Sequence, residues 1–119
     1  MRPQNVLIVE DDKAVQEMMQ DVLELQGFRV FIASDGAEGI ERLREIAPEP
    51  CVILLDLMMP KANGWQFLEA QRSDPKLAEY PVVICSAYPE SAKSLKPKAY
   101  VPKPIQFNDL LSAVKSNCA

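Results

Sequence analysis

Short apolar runs alternating with amphipathic stretches predict an α/β domain, a parallel sheet with helices packed on both faces. Three observations carry this. The run 6–9 is continuously apolar and too short for a helix, as a strand covered on both faces should be, and 28–33, 51–55 and 81–85 are further short, mostly apolar segments that read as strands, 51–55 as a buried one. The stretches after the first two carry apolar residues at helical spacing. Breaking residues (Gly27, Pro48, Pro50, Pro60, Gly64) fall at the joins.

Taken in order, the run 6–9 is the first strand. Residues 12–26 predict a helix with Val15, Met18, Met19, Val22 and Leu23 on one stripe, ended by Gly27. The second strand is 28–33, and Ser34-Asp35-Gly36 opens a helix through 47 with Ile40 and Leu43 inward. Pro48 and Pro50 stop it. The third strand, 51–55, runs into Asp56; a loop with Pro60 and Gly64 and a helix over 65–72 follow. The fourth strand, 81–85, ends at Ser86, and the fifth is a short one at 99–101. Pro102 restricts that strand to an edge, because proline has no N–H for a central ladder. A last helix over 107–116 would bury Phe107, Leu110, Leu111 and Val114.

The 119 residues suffice for one core and are too few for two, so 1–119 reads as a single domain. No apolar run approaches the roughly 20 residues of a membrane helix. The first residues lack the apolar stretch and cleavage site of a signal peptide, so a cytoplasmic location is the default expectation. A net charge of −4 argues against direct nucleic-acid binding. Cys51, Cys85 and Cys118 have no metal-type spacing. Cys51 and Cys85 should differ in height by about 13 Å at ~3.3 Å per residue, too far for a disulfide. Histidine is absent, so a metal site would use oxygen ligands and favour Mg²⁺, Ca²⁺ or Mn²⁺.

In parallel sheets of this kind functional residues gather at the carboxyl ends of the strands. Here those ends carry Glu10-Asp11-Asp12, Asp56, Ser86 and Lys103. Asp12 alone reads as a helix cap. Glu10, Asp11 and Asp56 repel one another, and a divalent cation among them would offset that cost. A carboxylate such as Asp56 can also attack phosphorus and form an acyl phosphate. Lys103, the Ser86 hydroxyl and nearby N–H groups could then hold phosphoryl oxygens. Singly, Lys103 reads as a surface lysine and Ser86 as a strand-end serine; their joint position changes the reading.

Four fragments, Val9-Glu10-Asp11-Asp12, Asp56-Leu57-Met58-Met59-Pro60 with Asn63-Gly64, Ser86-Ala87, and Tyr100-Val101-Pro102-Lys103-Pro104, resemble the signature of bacterial response-regulator receiver domains. The resemblance covers essentially the whole chain. It implies a doubly wound, flavodoxin-like sheet of five strands in the order 2-1-3-4-5. It implies that Asp56 accepts a phosphoryl group from a sensor histidine kinase or phosphotransfer protein. Mg²⁺ would sit on Asp11, on Glu10 mainly through water, on Asp56 and on the Met58 carbonyl. Ser86 would move its hydroxyl to the phosphoryl group, Lys103 would pair with it, and Tyr100 would turn inward as Ser86 moves. Lys103–Pro104 would be cis. Such a chain is a switch that promotes its own phosphorylation and dephosphorylation, not a turnover enzyme, and it acts through a downstream protein partner. Met58 and Tyr88 would flank the approach of hydrolytic water, and their bulk predicts a long-lived phosphorylated state.

One region departs from the family. Ser86 to Lys103 spans 17 positions, shorter than in receivers by more than a helical turn, with prolines at 89 and 97. At most 90–96 can be helical, so a shortened fourth helix is expected, with 87–98 the most mobile segment and partner binding in a non-standard mode or on another face, such as that of the first helix. Two other readings stand beside the receiver. A haloacid-dehalogenase-type phosphatase needs a second aspartate two residues after the first, and position 58 is methionine. A pseudo-receiver would bind partners without phosphorylation; such domains usually lack an acid, the acceptor or the lysine, all present here.

Overall fold

A computed structural model describes residues 4–57, 64–87 and 95–118. The elements, numbered in chain order, are β1 (Asn5–Val9), α1 (Lys13–Leu25), β2 (Arg29–Ala33), α2 (Gly36–Ile46), β3 (Cys51–Asp56), α3 (Gly64–Ser73), β4 (Val82–Ser86), β5 (Ala99–Pro102) and α4 (Phe107–Ser116). The strands form one parallel sheet in the order β2-β1-β3-β4-β5, as expected. Expected element ends differ from these by one or two residues.

Period-two alternation sends successive strand residues to opposite faces. Leu7, Val9, Ile53, Leu55 and Ile84 pack under α2 and α3 against Ile40, Leu43, Phe67 and Leu68. Val6, Ile8, Leu54, Val83 and Val101 pack under α1 and α4 against Met19, Leu23, Leu110 and Val114. Each helix is fixed at its start by local chemistry. The Asp12 carboxylate accepts the Ala14 and Val15 N–H groups at the head of α1, and Asp35 accepts Glu38 N–H at the head of α2. After α1 the chain turns at Gly27 with φ +91°, a left-handed value that glycine adopts without a steric cost.

The cysteines are unpaired. Asp56 lies beside Cys85 in the ladder, which puts Cys51 five residues lower, about 16 Å rather than 13 Å. They also face opposite layers.

One expectation needs correction. Phe107 is 55% exposed, not buried. It is the first residue of α4, beyond the end of β5, and Ala113 takes its place beside Leu110 and Val114. Of 87–98, the segment expected to be mobile, residues 88–94 lie outside the described residues, and 95–98 make tertiary contacts. The Leu95 carbonyl accepts from the Arg72 guanidinium, the Leu95 side chain packs on the α2–α3 core, and Lys98 N–H donates to the Val82 carbonyl at 3.0 Å. Among the described residues, 95–98 is not helical.

Candidate functional site

All five strands run the same way, so whatever follows them emerges on one edge. Val9 lies beside Leu55, Asp56 beside Cys85 and Ser86 beside Pro102. Glu10, Asp11, Asp56, Ser86 and Lys103 therefore meet, as the strand-end rule predicts.

Glu10 is the most buried of them. It is 1% exposed. Its N–H donates to the Ala33 carbonyl at 3.0 Å, one carboxylate oxygen accepts Asp12 N–H at 3.1 Å, and the other lies 2.8 Å from Lys103 Nζ. The same ammonium is 3.5 Å from Asp56 Oδ2. Asp56 is buried and Asp11 is exposed. One carboxylate oxygen from each of Glu10, Asp11 and Asp56 lies within 4.8 Å of the others.

The electrostatics follow from this crowding. Desolvation, and then the hydrogen-bonded contact with Glu10, hold Asp11 above the usual carboxylate range. Desolvation alone would lower Lys103, but the hydrogen bond and charge of Glu10, with the charge of Asp56, outweigh it and raise the ammonium. The Cys85 thiol behind the site is pushed up to about 12, first by burial, so it stays protonated and inert as a nucleophile. Three carboxylates against one ammonium leave a surplus of two negative charges. An all-oxygen donor set with that surplus fits a hard divalent cation.

Ser86 is buried at the end of β4. Its carbonyl accepts the Lys103 N–H at 3.1 Å and the Tyr100 hydroxyl at 2.6 Å. The resemblance implies that Tyr100 turns inward when Ser86 moves. Here its ring is half-buried against the α2–α3 core and its hydroxyl is already bonded. Lys103–Pro104 is cis, as expected. Met58 and Tyr88, and with them the Met58 carbonyl ligand and the water-gating pair, lie outside the described residues.

Two more residues stand against the site: Gln16, which pattern reading passed over, and Gly64, which it placed in the loop after Asp56 without a role. Gln16 is buried on the apolar stripe of α1, and its side-chain amide donates to the Glu10 carbonyl. A polar residue three before Met19 and seven before Leu23 was the available signal. Gly64 begins α3 against the chain leaving β3, where a Cβ would come within 2.6 Å of the Asp56 carbonyl oxygen. No sequence signal separates that close approach from an ordinary loop glycine.

A doubly wound parallel sheet with acids and a lysine gathered on its carboxyl edge is the architecture of signalling receiver proteins. The response regulator receiver domain family matches residues 6–115, and the chain belongs to that family. Transcriptional regulatory protein CpxR of Escherichia coli is 29% identical over 116 residues, 93% of this chain and 47% of CpxR. Polar-differentiation response regulator DivK of Brucella anthropi is 27% identical over 96% of this chain and 95% of DivK. The chain thus spans about half the length of CpxR but nearly all of DivK. Among solved structures, bacteriophytochrome response regulator RtBRR is 34% identical with TM-score 0.81, over 96% of this chain and 77% of RtBRR. Among the described residues, no helix is long and apolar enough to cross a membrane.

Proposed function

We propose that this receiver accepts a phosphoryl group on Asp56, in a Mg²⁺-dependent reaction, from a phosphohistidine on a sensor kinase or phosphotransfer protein. The observation that carries this is the meeting of Glu10, Asp11 and Asp56 within 4.8 Å, with Lys103 set between Glu10 and Asp56. An Asp56 carboxylate oxygen attacks phosphorus, a P–O bond forms, the P–N bond to the donor histidine breaks, and the imidazole leaves with a proton. Glu10, Asp11, Asp56 and the Met58 carbonyl would hold Mg²⁺, which supplies charge neutralisation at the phosphoryl oxygens. Lys103 already faces the acceptor and stabilises the same charge. The Ser86 hydroxyl takes a further phosphoryl oxygen.

Switching requires the phosphoryl group to favour one conformation over another. Moving Ser86 would disturb the carbonyl that Tyr100 and Lys103 both bond, so Tyr100 senses the site from a bonded starting position. Met58 and Tyr88 slow hydrolysis by excluding water; the decay of phosphorylated Met58→Asn/Tyr88→Glu protein reads this role. The setting is cytoplasmic, with a downstream protein as the output.

The deciding experiment is intact-mass analysis after acetyl phosphate and Mg²⁺, with Asp56→Asn as control. One phosphoryl adduct on the wild type and none on the variant is expected. An unmodified wild type would favour a pseudo-receiver, a phosphorylation-independent binding module.

A further inference from the structure

We propose that Gln16 is a positioning residue for the acidic site: its buried side-chain amide fixes the Glu10–Asp11 peptide plane and so aims the Asp11 carboxylate. The inference rests on the metal-binding reading above and adds a residue to it.

Gln16 is the first of three buried positions on α1, and the other two, Met19 and Leu23, are apolar. A primary amide placed there is costly unless its hydrogen-bonding capacity is used. Its Nε2 donates to the Glu10 carbonyl and reaches Ser34 Oγ at 3.3 Å. One side chain on α1 therefore ties together the residues that follow β1 and β2.

The Glu10 carbonyl has left the strand ladder, since β1 ends at Val9. Every other polar group of Glu10 is held elsewhere: N–H by Ala33, the carboxylate by Lys103 and Asp12 N–H. Gln16 supplies the missing partner. The Glu10 carbonyl and the Asp11 N–H share one rigid peptide plane. Rotation of that plane would swing the Asp11 Cα–Cβ bond. Asp11 is the exposed member of the carboxylate trio, so packing constrains its direction least. The hydrogen bond from Gln16 removes that freedom.

The test is Mg²⁺ affinity, read by Trp65 fluorescence, together with the thermal midpoint, for wild type, Gln16→Met and Gln16→Arg. Methionine matches the length of glutamine and suits the stripe but has no donor; arginine restores N–H donors. Gln16→Met should weaken Mg²⁺ binding about tenfold, the lower end of what loss of an outer-shell partner costs. It should also lower the thermal midpoint modestly, because the buried Glu10 carbonyl loses its donor, and Gln16→Arg should recover most of the affinity. In the wild type, the Gln16 side-chain amide NMR signals should shift saturably with Mg²⁺ in step with the Asp11 backbone amide. That measurement needs no variant to fold. A Gln16→Met protein with wild-type affinity, or Gln16 amide signals indifferent to Mg²⁺, would overturn the proposal while leaving the metal site standing. A wild-type protein that takes up no Mg²⁺ would overturn both.

Discussion

Gly64→Ala tests how closely α3 is moulded onto the phosphoacceptor strand. A Cβ at position 64 would stand 2.6 Å from the Asp56 carbonyl oxygen and 2.6 Å from Leu57 Cα. Both are backbone atoms, so no side chain can rotate away. The start of α3 would have to retreat by roughly 0.8 Å to restore ordinary contact. That retreat also lengthens the bond from Gly64 N–H to the Leu57 carbonyl, now 3.2 Å. Overpacking of this kind costs about 1–3 kcal/mol, and a weakened hydrogen bond up to about 1 kcal/mol more. Alanine offsets at most about 1 kcal/mol through its helix preference, and less at a helix start. The net expectation is a loss of about 1–3 kcal/mol in urea unfolding, with an unchanged denaturant slope. Because the clash falls on the Asp56 carbonyl, phosphorylation by acetyl phosphate should slow as well. A variant as stable as wild type would show that the chain after β3 yields freely and that the close approach constrains nothing.

The fold and the site's membership were legible because both follow from regularities of chain order. Short continuous apolar runs marked the strands, and parallel strands must present their following residues on one edge. Glu10, Asp11, Asp56, Ser86 and Lys103 could therefore be grouped without any contact being known. What stayed hidden depends on distances between elements. Phe107 fits the helical stripe of α4, yet it lies past the end of the strand that would cover it. Gly64 has the composition of a loop glycine, and only the path of β3 beneath it shows that a methyl group has no room. Gln16 interrupts an apolar stripe, but its partner is a carbonyl whose direction is set where β1 stops. Tyr100 belongs to a recognisable motif, whereas the side of the sheet on which its ring rests is a matter of packing. The bond from Arg72, a residue of α3, to the Leu95 carbonyl joins residues 23 positions apart, and no periodicity announces it.

Two further outcomes follow from the charges at the carboxyl edge. Partial desolvation and the contact with Glu10 raise Asp11 above the ordinary carboxylate value, so in the metal-free protein its ionisation costs stability, a loss that builds as pH rises from the ordinary value through the folded one. Asp11→Asn should therefore raise the thermal midpoint at pH 7 in EDTA, lose that advantage in acid, and bind Mg²⁺ weakly; an Asn variant less stable than wild type in EDTA would contradict the reasoning. Lys103 shifts the opposite kind of equilibrium. Its folded pKa is raised, so its pairing with Glu10 and Asp56 contributes fully below the ordinary lysine value of 10.5 and is lost as pH climbs through the higher folded value. Lys103→Met leaves the two buried carboxylates without their ammonium. Complete burial would make that loss about 3–5 kcal/mol, but the lysine side chain is 26% exposed, so about 2 kcal/mol at pH 7 is expected. The deficit should shrink in saturating Mg²⁺, because the metal supplies the missing positive charge while phosphorylation still lacks its lysine. Urea unfolding at pH 7 with and without Mg²⁺, and above pH 10.5 without it, checks all three points. If Lys103→Met is as stable as wild type at pH 7 without metal, then Glu10 and Asp56 are adequately solvated on their own, and the ammonium between them serves the phosphoryl group alone.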